Sequence, residues 1–117
     1  MKEFDLKSRT KLFALRIIKL FRSLPKSPEA QVIGKQILRS GTSVGAQYRE
    51  ASRSRSNSEF ISKMASSLQE LDGTAYWLEP LIEGEIVKAE KLKGLQDETD
   101  ELIAIFVTSI KTARSKK

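Results

Sequence analysis

Apolar residues recur at alternating spacings of three and four along Ile61, Met64, Leu68, Leu71, Ala75, Leu78 and Ile82, without a break. A mean spacing of about 3.5 residues keeps one seam of a helix turned toward a partner helix, whereas a strand would repeat every second residue. The same rhythm runs through Leu6, Thr10, Phe13, Ile17, Leu20 and Leu24, through Leu92, Leu95, Thr99, Leu102 and Phe106, and less regularly through Ile33, Ile37, Val44 and Tyr48. Four long helices joined by short loops place sequential neighbours antiparallel. The chain is therefore expected to be all-α, an antiparallel up-down-up-down four-helix bundle.

Local signals set the expected boundaries at about 6–24, 28–53, 57–83 and 88–113, within a single domain spanning 1–117. Asp5 is a candidate N-cap. Leu24-Pro25-Lys26-Ser27-Pro28 breaks the chain, with Ser27 as cap and Pro28 at the first helical position, where its missing N–H costs nothing. Ser56-Asn57-Ser58-Glu59 reads as a capping box, in which the Glu59 carboxylate returns to the Ser56 amide. Gly84 is the expected C-cap of the third helix. Within that helix, Pro80 removes one hydrogen bond, but burial of Leu81 and Ile82 beyond it outweighs the loss, so the helix is expected to bend and resume. Arg114 to Lys117 are expected to fray as a basic tail.

With 117 residues and 39% apolar composition the chain can bury one modest core. It has no cysteine and no histidine, which removes disulfides, thiol nucleophiles and the Glu-x-x-His pairs of di-iron bundles. Glu70, Asp72, Glu79 and Glu83 on the third helix are thus read as structural or ion-pairing groups. No glycine-rich phosphate loop or strand-turn-helix context supports a hydrolytic site. The expectation is a protein without enzymatic activity or cofactor. The longest apolar run, Leu102 to Val107, is far short of a membrane span, and the first five residues resemble no signal peptide, so a cytoplasmic location is expected.

The net charge of +6 divides unevenly: residues 1–63 carry 14 Lys and Arg against 5 acids, and residues 64–117 carry 7 against 10. Such asymmetry suits either a polyanion or self-association through opposite surfaces. On a helical projection Lys35, Arg39, Arg49 and Arg53 fall within about 80°, opposite Ile37 and Val44. Arg16, Lys19, Arg22, Lys26 and Lys63 are candidates to widen this stripe. It is a candidate phosphate-binding array or a merely solvated face. The first helix has six cations and no acid, but an interfacial membrane role competes with the core for its apolar side. Gly34, Gly41 and Gly45, at heptad spacing, imply close approach by another helix, within or between subunits, or by a ligand. Few aromatics, mostly at core positions, argue against base stacking.

Arg39 to Met64 (RSGTSVGAQYREASRSRSNSEFISKM) resembles the signature of bacterial four-helix bundle proteins encoded within intervening sequences of large-subunit ribosomal RNA genes. Phe13 to Ser27, Tyr76 to Glu83 and Glu101 to Arg114 extend the resemblance over most of the chain. It implies a ring-like homopentamer with a basic surface, mapped here onto Lys35, Arg39, Arg49, Arg53 and Arg55. A related branch serves diversity-generating retroelements, implying RNA or DNA, and a reverse transcriptase or another protein, as partners. The family offers no catalytic residues to carry over. Gln47, Gly73 and Pro80 depart from its pattern. The leading expectation is a homo-oligomeric scaffold that binds nucleic acid electrostatically. The alternative is a scaffold that docks an acidic protein partner without nucleic acid.

Overall fold

The computed structural model describes residues 5–116, in which four helices follow one another: α1 (Leu6–Ser23), α2 (Pro28–Ser52), α3 (Asn57–Glu83) and α4 (Ala89–Lys116). Asp5 caps α1 by accepting a hydrogen bond from the Ser8 amide at 3.3 Å. Pro28 opens α2, but the Ser27 hydroxyl makes no capping bond. Ser56 Oγ accepts from the Glu59 amide at 3.1 Å, while the Glu59 carboxylate returns to the amide of Arg55 rather than Ser56. The expected box is therefore wider by one residue.

At the other end of α3, Gly84 is the C-cap, as expected, but it is not the left-handed residue. Gly84 keeps φ −81°, and the left-handed position is Glu85, at φ 62°. The Ile86 and Glu85 amides donate to the Leu81 and Ile82 carbonyls, both at 2.9 Å. This is the paired-bond helix ending usually built on glycine at the left-handed residue. α3 continues through Pro80 to Glu83, with Leu81 fully buried just beyond the break. α4 extends past Ala113 as far as Lys116, so Arg114 to Lys116 are helical rather than frayed. A helix C-terminus favours such cations because its last carbonyls carry partial negative charge.

The bundle core is the heptad seam. Phe13, Ile17, Ile37, Val44, Met64, Leu71, Leu78, Leu102 and Phe106 are all essentially inaccessible. Antiparallel threading is visible where chain ends meet: Lys63 on α3 reaches Glu50 on α2 at 3.0 Å, and Asn57 on α3 donates to the Ala113 carbonyl of α4 at 2.6 Å. α2 packs on both α1 and α3, and α3 on α4, whereas the α1–α4 side is looser. Arg9 bridges that side, donating to Glu98 at 2.7 Å and Glu101 at 2.6 Å. The hydrogen bond from Arg9 to Glu98 is the largest influence raising the already high guanidinium pKa. The result is a rod measuring 48 × 22 × 21 Å.

The glycines of α2 take the first of their expected partners. A Cβ on Gly41 would lie 2.6 Å from Ile17 Cγ1, and one on Gly34 would lie 2.5 Å from Leu24 Cδ1. The close approach is made by α1 within the subunit. Two polar contacts hold the seam: the Ser40 and Thr74 hydroxyls bond each other at 2.7 Å, and Ser67 donates to the Val44 carbonyl at 2.8 Å.

Candidate functional site

Cations gather at one end of the rod. Because alternate helices run in opposite directions, the start of α1, the end of α2, the start of α3 and the end of α4 share that end. Its last two turns of each helix, with Asp5 and the Arg53–Ser56 loop, hold Lys7, Arg9, Lys11, Arg49, Arg53, Arg55, Lys63, Lys111, Arg114 and Lys116. Among the described residues, only Asp5, Glu50 and Glu59 oppose these ten cations. The same span at the far end holds six cations (Lys19, Arg22, Lys26, Lys88, Lys91, Lys93) and five acids (Glu29, Glu79, Glu83, Glu85, Glu90). Charge is thus divided by end of the bundle. The basic first half and acidic second half of the sequence do not become two halves of the molecule, since threading returns the C-terminal cations of α4 to the basic end.

A groove of about 730 Å³ opens at this end between α1 and α2, reaching the first turns of α3. Lys7 and Lys11 come from α1, Arg49 from α2, Arg53 from the cap that follows α2, and Lys63 from α3; Ala14, Thr42, Gly45 and Ala46 also line it. The groove forms because small residues occupy α2 where α1 crosses it. A Cβ on Gly45 would already stand 3.1 Å from Thr10 Oγ1. Two carboxylates also line it, but Glu50 is engaged by Lys63 and Glu59 by the Arg55 amide. Lys7, Lys11, Arg49 and Arg53 have no ion-pair partner among the described residues. Unneutralised cations converging from two helices raise the local positive potential and attract anions.

Of the expected site residues, Arg49 and Arg53 enter the groove, and Arg55 lies exposed in the adjacent loop. Arg39 is exposed but forms an ion pair with Glu70 at 3.2 Å, and it lies ten residues, about 15 Å of helix, from Arg49. Lys35 lies a further turn away. The stripe therefore shares one face of α2 without forming one site. Of the residues expected to widen it, Lys63 joins the groove, whereas Lys19, Arg22 and Lys26 stand at the opposite end. The Arg16 guanidinium lies over Gly94 of α4. Lys7 and Lys11 were legible only indirectly: each follows a seam residue, Leu6 or Thr10, on the side turned toward the glycine edge of α2.

A second groove, of about 900 Å³, is lined by the second half of α4 with the starts of α1 and α3, and Leu6, Tyr48, Phe60, Met64 and Ile105 are among its apolar lining. The Tyr48 ring packs at 6.0 Å from that of Phe106. Burial, and secondarily the nearby Asp5 charge, pushes the Tyr48 phenol above its ordinary value.

An antiparallel four-helix rod with its unneutralised cations concentrated at one end is a basic helical-bundle protein. The chain belongs to the family of 23S rRNA-intervening sequence proteins, whose pattern matches residues 2–108. It is similar to a crystal structure of a protein of unknown function from the S23 ribosomal protein family of Bacteroides thetaiotaomicron VPI-5482. The two are 38% identical, with a TM-score of 0.85 over 91% of this chain and 98% of the other. No curated protein matches the chain significantly. No helix among the described residues is long and apolar enough to cross a membrane.

Proposed function

We propose that this protein is a non-enzymatic, homo-oligomeric scaffold that binds RNA or DNA electrostatically through its basic end. The observation that carries the reading is the convergence of Lys7, Lys11, Arg49 and Arg53 on one groove, at an end where ten cations face three carboxylates. Each phosphate neutralised releases condensed counterions, so affinity is available without base readout. The family's name associates its genes with ribosomal RNA, which is consistent with a polyanionic partner. The groove between α1 and α2 supports Arg49 and Arg53, with Lys7 and Lys11 added, as the principal contacts.

Fluorescence anisotropy with labelled RNA and DNA across a salt series tests this. Affinity should fall with salt by about 0.7 logarithmic units per logarithmic unit and phosphate contacted on a single strand, or about 0.9 on a duplex. The double variant Arg49→Glu/Arg53→Glu should weaken binding and flatten that slope by about two contacts, whereas Lys35→Glu should change both less. No binding at low salt, or an unchanged double variant, rejects the nucleic-acid reading. The reading that remains is an acidic protein partner, for which the same cations and the exposed leucines of α1 provide a surface.

A further inference from the structure

We infer that the groove between α1 and α2 holds one linear phosphate chain by its backbone alone, leaving any attached bases turned to solvent. The inference rests on the basic-end reading above and specifies what enters the site.

Each wall carries a pair of cations. Lys7 and Lys11 stand one turn apart on α1, about 6 Å of rise. Arg49 lies in the last turn of α2 and Arg53 is the residue that caps its C-terminus. A chain lying between them meets positive charge from both sides. The lane is narrow: packed helix axes are about 8–10 Å apart, and Thr10 against Gly45 shows close packing of α1 and α2 beneath it. One strand of phosphates can enter such a lane, whereas a duplex can only lay one edge along it.

The lining is also poor in anything that would hold a base. Among the described residues no aromatic side chain lines the groove, so they offer no stacking, the main sequence-tolerant contact to single strands. The floor is Ala14, Thr42 and Ala46. The Thr42 hydroxyl already donates to the Leu38 carbonyl of its own helix at 2.6 Å. The two lining carboxylates each accept one hydrogen bond already, Glu50 from Lys63 and Glu59 from the Arg55 amide. Phosphate is the chemistry that the four unpaired cations favour. A phosphodiester strand and inorganic polyphosphate both supply it.

The full chain is titrated into a labelled DNA strand of about twenty nucleotides at low salt. The bound strand is then competed with unlabelled strand, an abasic strand of equal length, inorganic polyphosphate and blunt duplex. The abasic strand and polyphosphate should compete within about threefold of the intact strand, and the duplex about fivefold less well per phosphate. Whichever of strand or polyphosphate acts at the lower concentration identifies the source of the chain. Ala46→Leu, on an exposed position, fills the floor without changing charge and should weaken strand and polyphosphate alike by about fivefold or more, with helicity unchanged. Loss of more than about tenfold with the abasic strand would mean that bases are contacted, and would overturn the inference. So would a duplex that competes equally, polyphosphate that fails to compete, or Ala46→Leu binding like the parent, which would make the cations a diffuse surface. If the labelled strand does not bind at all, the nucleic-acid reading itself fails, an outcome distinct from these.

Discussion

Gly41 and Gly73 both interrupt long helices, yet their surroundings demand opposite outcomes on substitution. A Cβ on Gly41 would stand 2.6 Å from Cγ1 of Ile17, a branched and fully buried side chain with nowhere to turn. Overpacking of that kind costs about 1–3 kcal/mol, against about 1 kcal/mol of recovered helix propensity. A Cβ on Gly73 would meet only Ser40 Cβ at 4.0 Å, ordinary contact. Gly41→Ala should therefore lower stability by up to about 2 kcal/mol and Gly73→Ala raise it by about 1 kcal/mol, as read from urea denaturation midpoints. Tyr48 gives a second test. Its folded pKa is raised, chiefly by burial and then by Asp5, so its contribution is intact below the unfolded phenol value near 10 and is lost as pH rises through the folded value. Tyr48→Phe should flatten the decline of stability above about pH 10, and a decline as steep as the parent's would refute the assignment. At this scale the sequence was legible where one residue has one physical role. The α2 glycines announced close approach, but only the packed helices show that α1 makes it. Arg39 looked like a free cation because its partner Glu70 is 31 residues away.

The helices themselves were legible because seam spacing is a property of each segment alone. Their ends were less so, since a cap depends on which of several adjacent amides the chain presents. Glu59 bonds the Arg55 amide instead of Ser56, and the left-handed turn after α3 falls on Glu85 although Gly84 stands beside it. Left-handed backbone strains a side-chain-bearing residue by about 1 kcal/mol or more, and glycine escapes that penalty. The surrounding bonds are already those of a glycine-type ending, with Ile86 to Leu81 and Glu85 to Ile82. Glu85→Gly should hence stabilise the protein by about 0.5–1 kcal/mol, raising Tm by a few degrees despite the added freedom of the unfolded chain. A fall in Tm would show that the Glu85 side chain contributes more than its backbone conformation costs. Pro80 was readable in energetic terms: burial of Leu81 keeps α3 going where propensity alone would stop it.

At the scale of the whole molecule, antiparallel threading converts a charge asymmetry along the chain into one between the ends of a rod, which composition by halves could not disclose. It also decides which apolar residues are left over. Phe21 and Ile103, at the flanks of the seams, are drawn onto the core. Leu12 and Leu15 on α1 remain 60% and 54% exposed, on the side away from Phe13 and Ile17, and Val32 on α2 is 62% exposed. Two adjacent leucines on an otherwise cationic helix lose about 25 cal/mol for each Å² of apolar surface kept in water, a loss that a neighbouring subunit can recover. A stable subunit contact buries about 800 Å² per partner, more than two leucines alone supply, so the contact must spread to the polar surface around them. Cations there facing Asp100 on a neighbour's α4, beside Asp97 and Glu101 that already pair with Lys93 and Arg9 of their own subunit, would provide part of that complement. Native mass spectrometry at micromolar concentration should accordingly show a homo-oligomer, of about five copies if the ring implied by the family resemblance holds. Leu12→Lys/Leu15→Lys should shift it toward monomer while circular dichroism remains helical, because neither side chain belongs to the core. A parent protein that is monomeric, or a double variant that assembles as the parent does, would remove these leucines from any subunit interface.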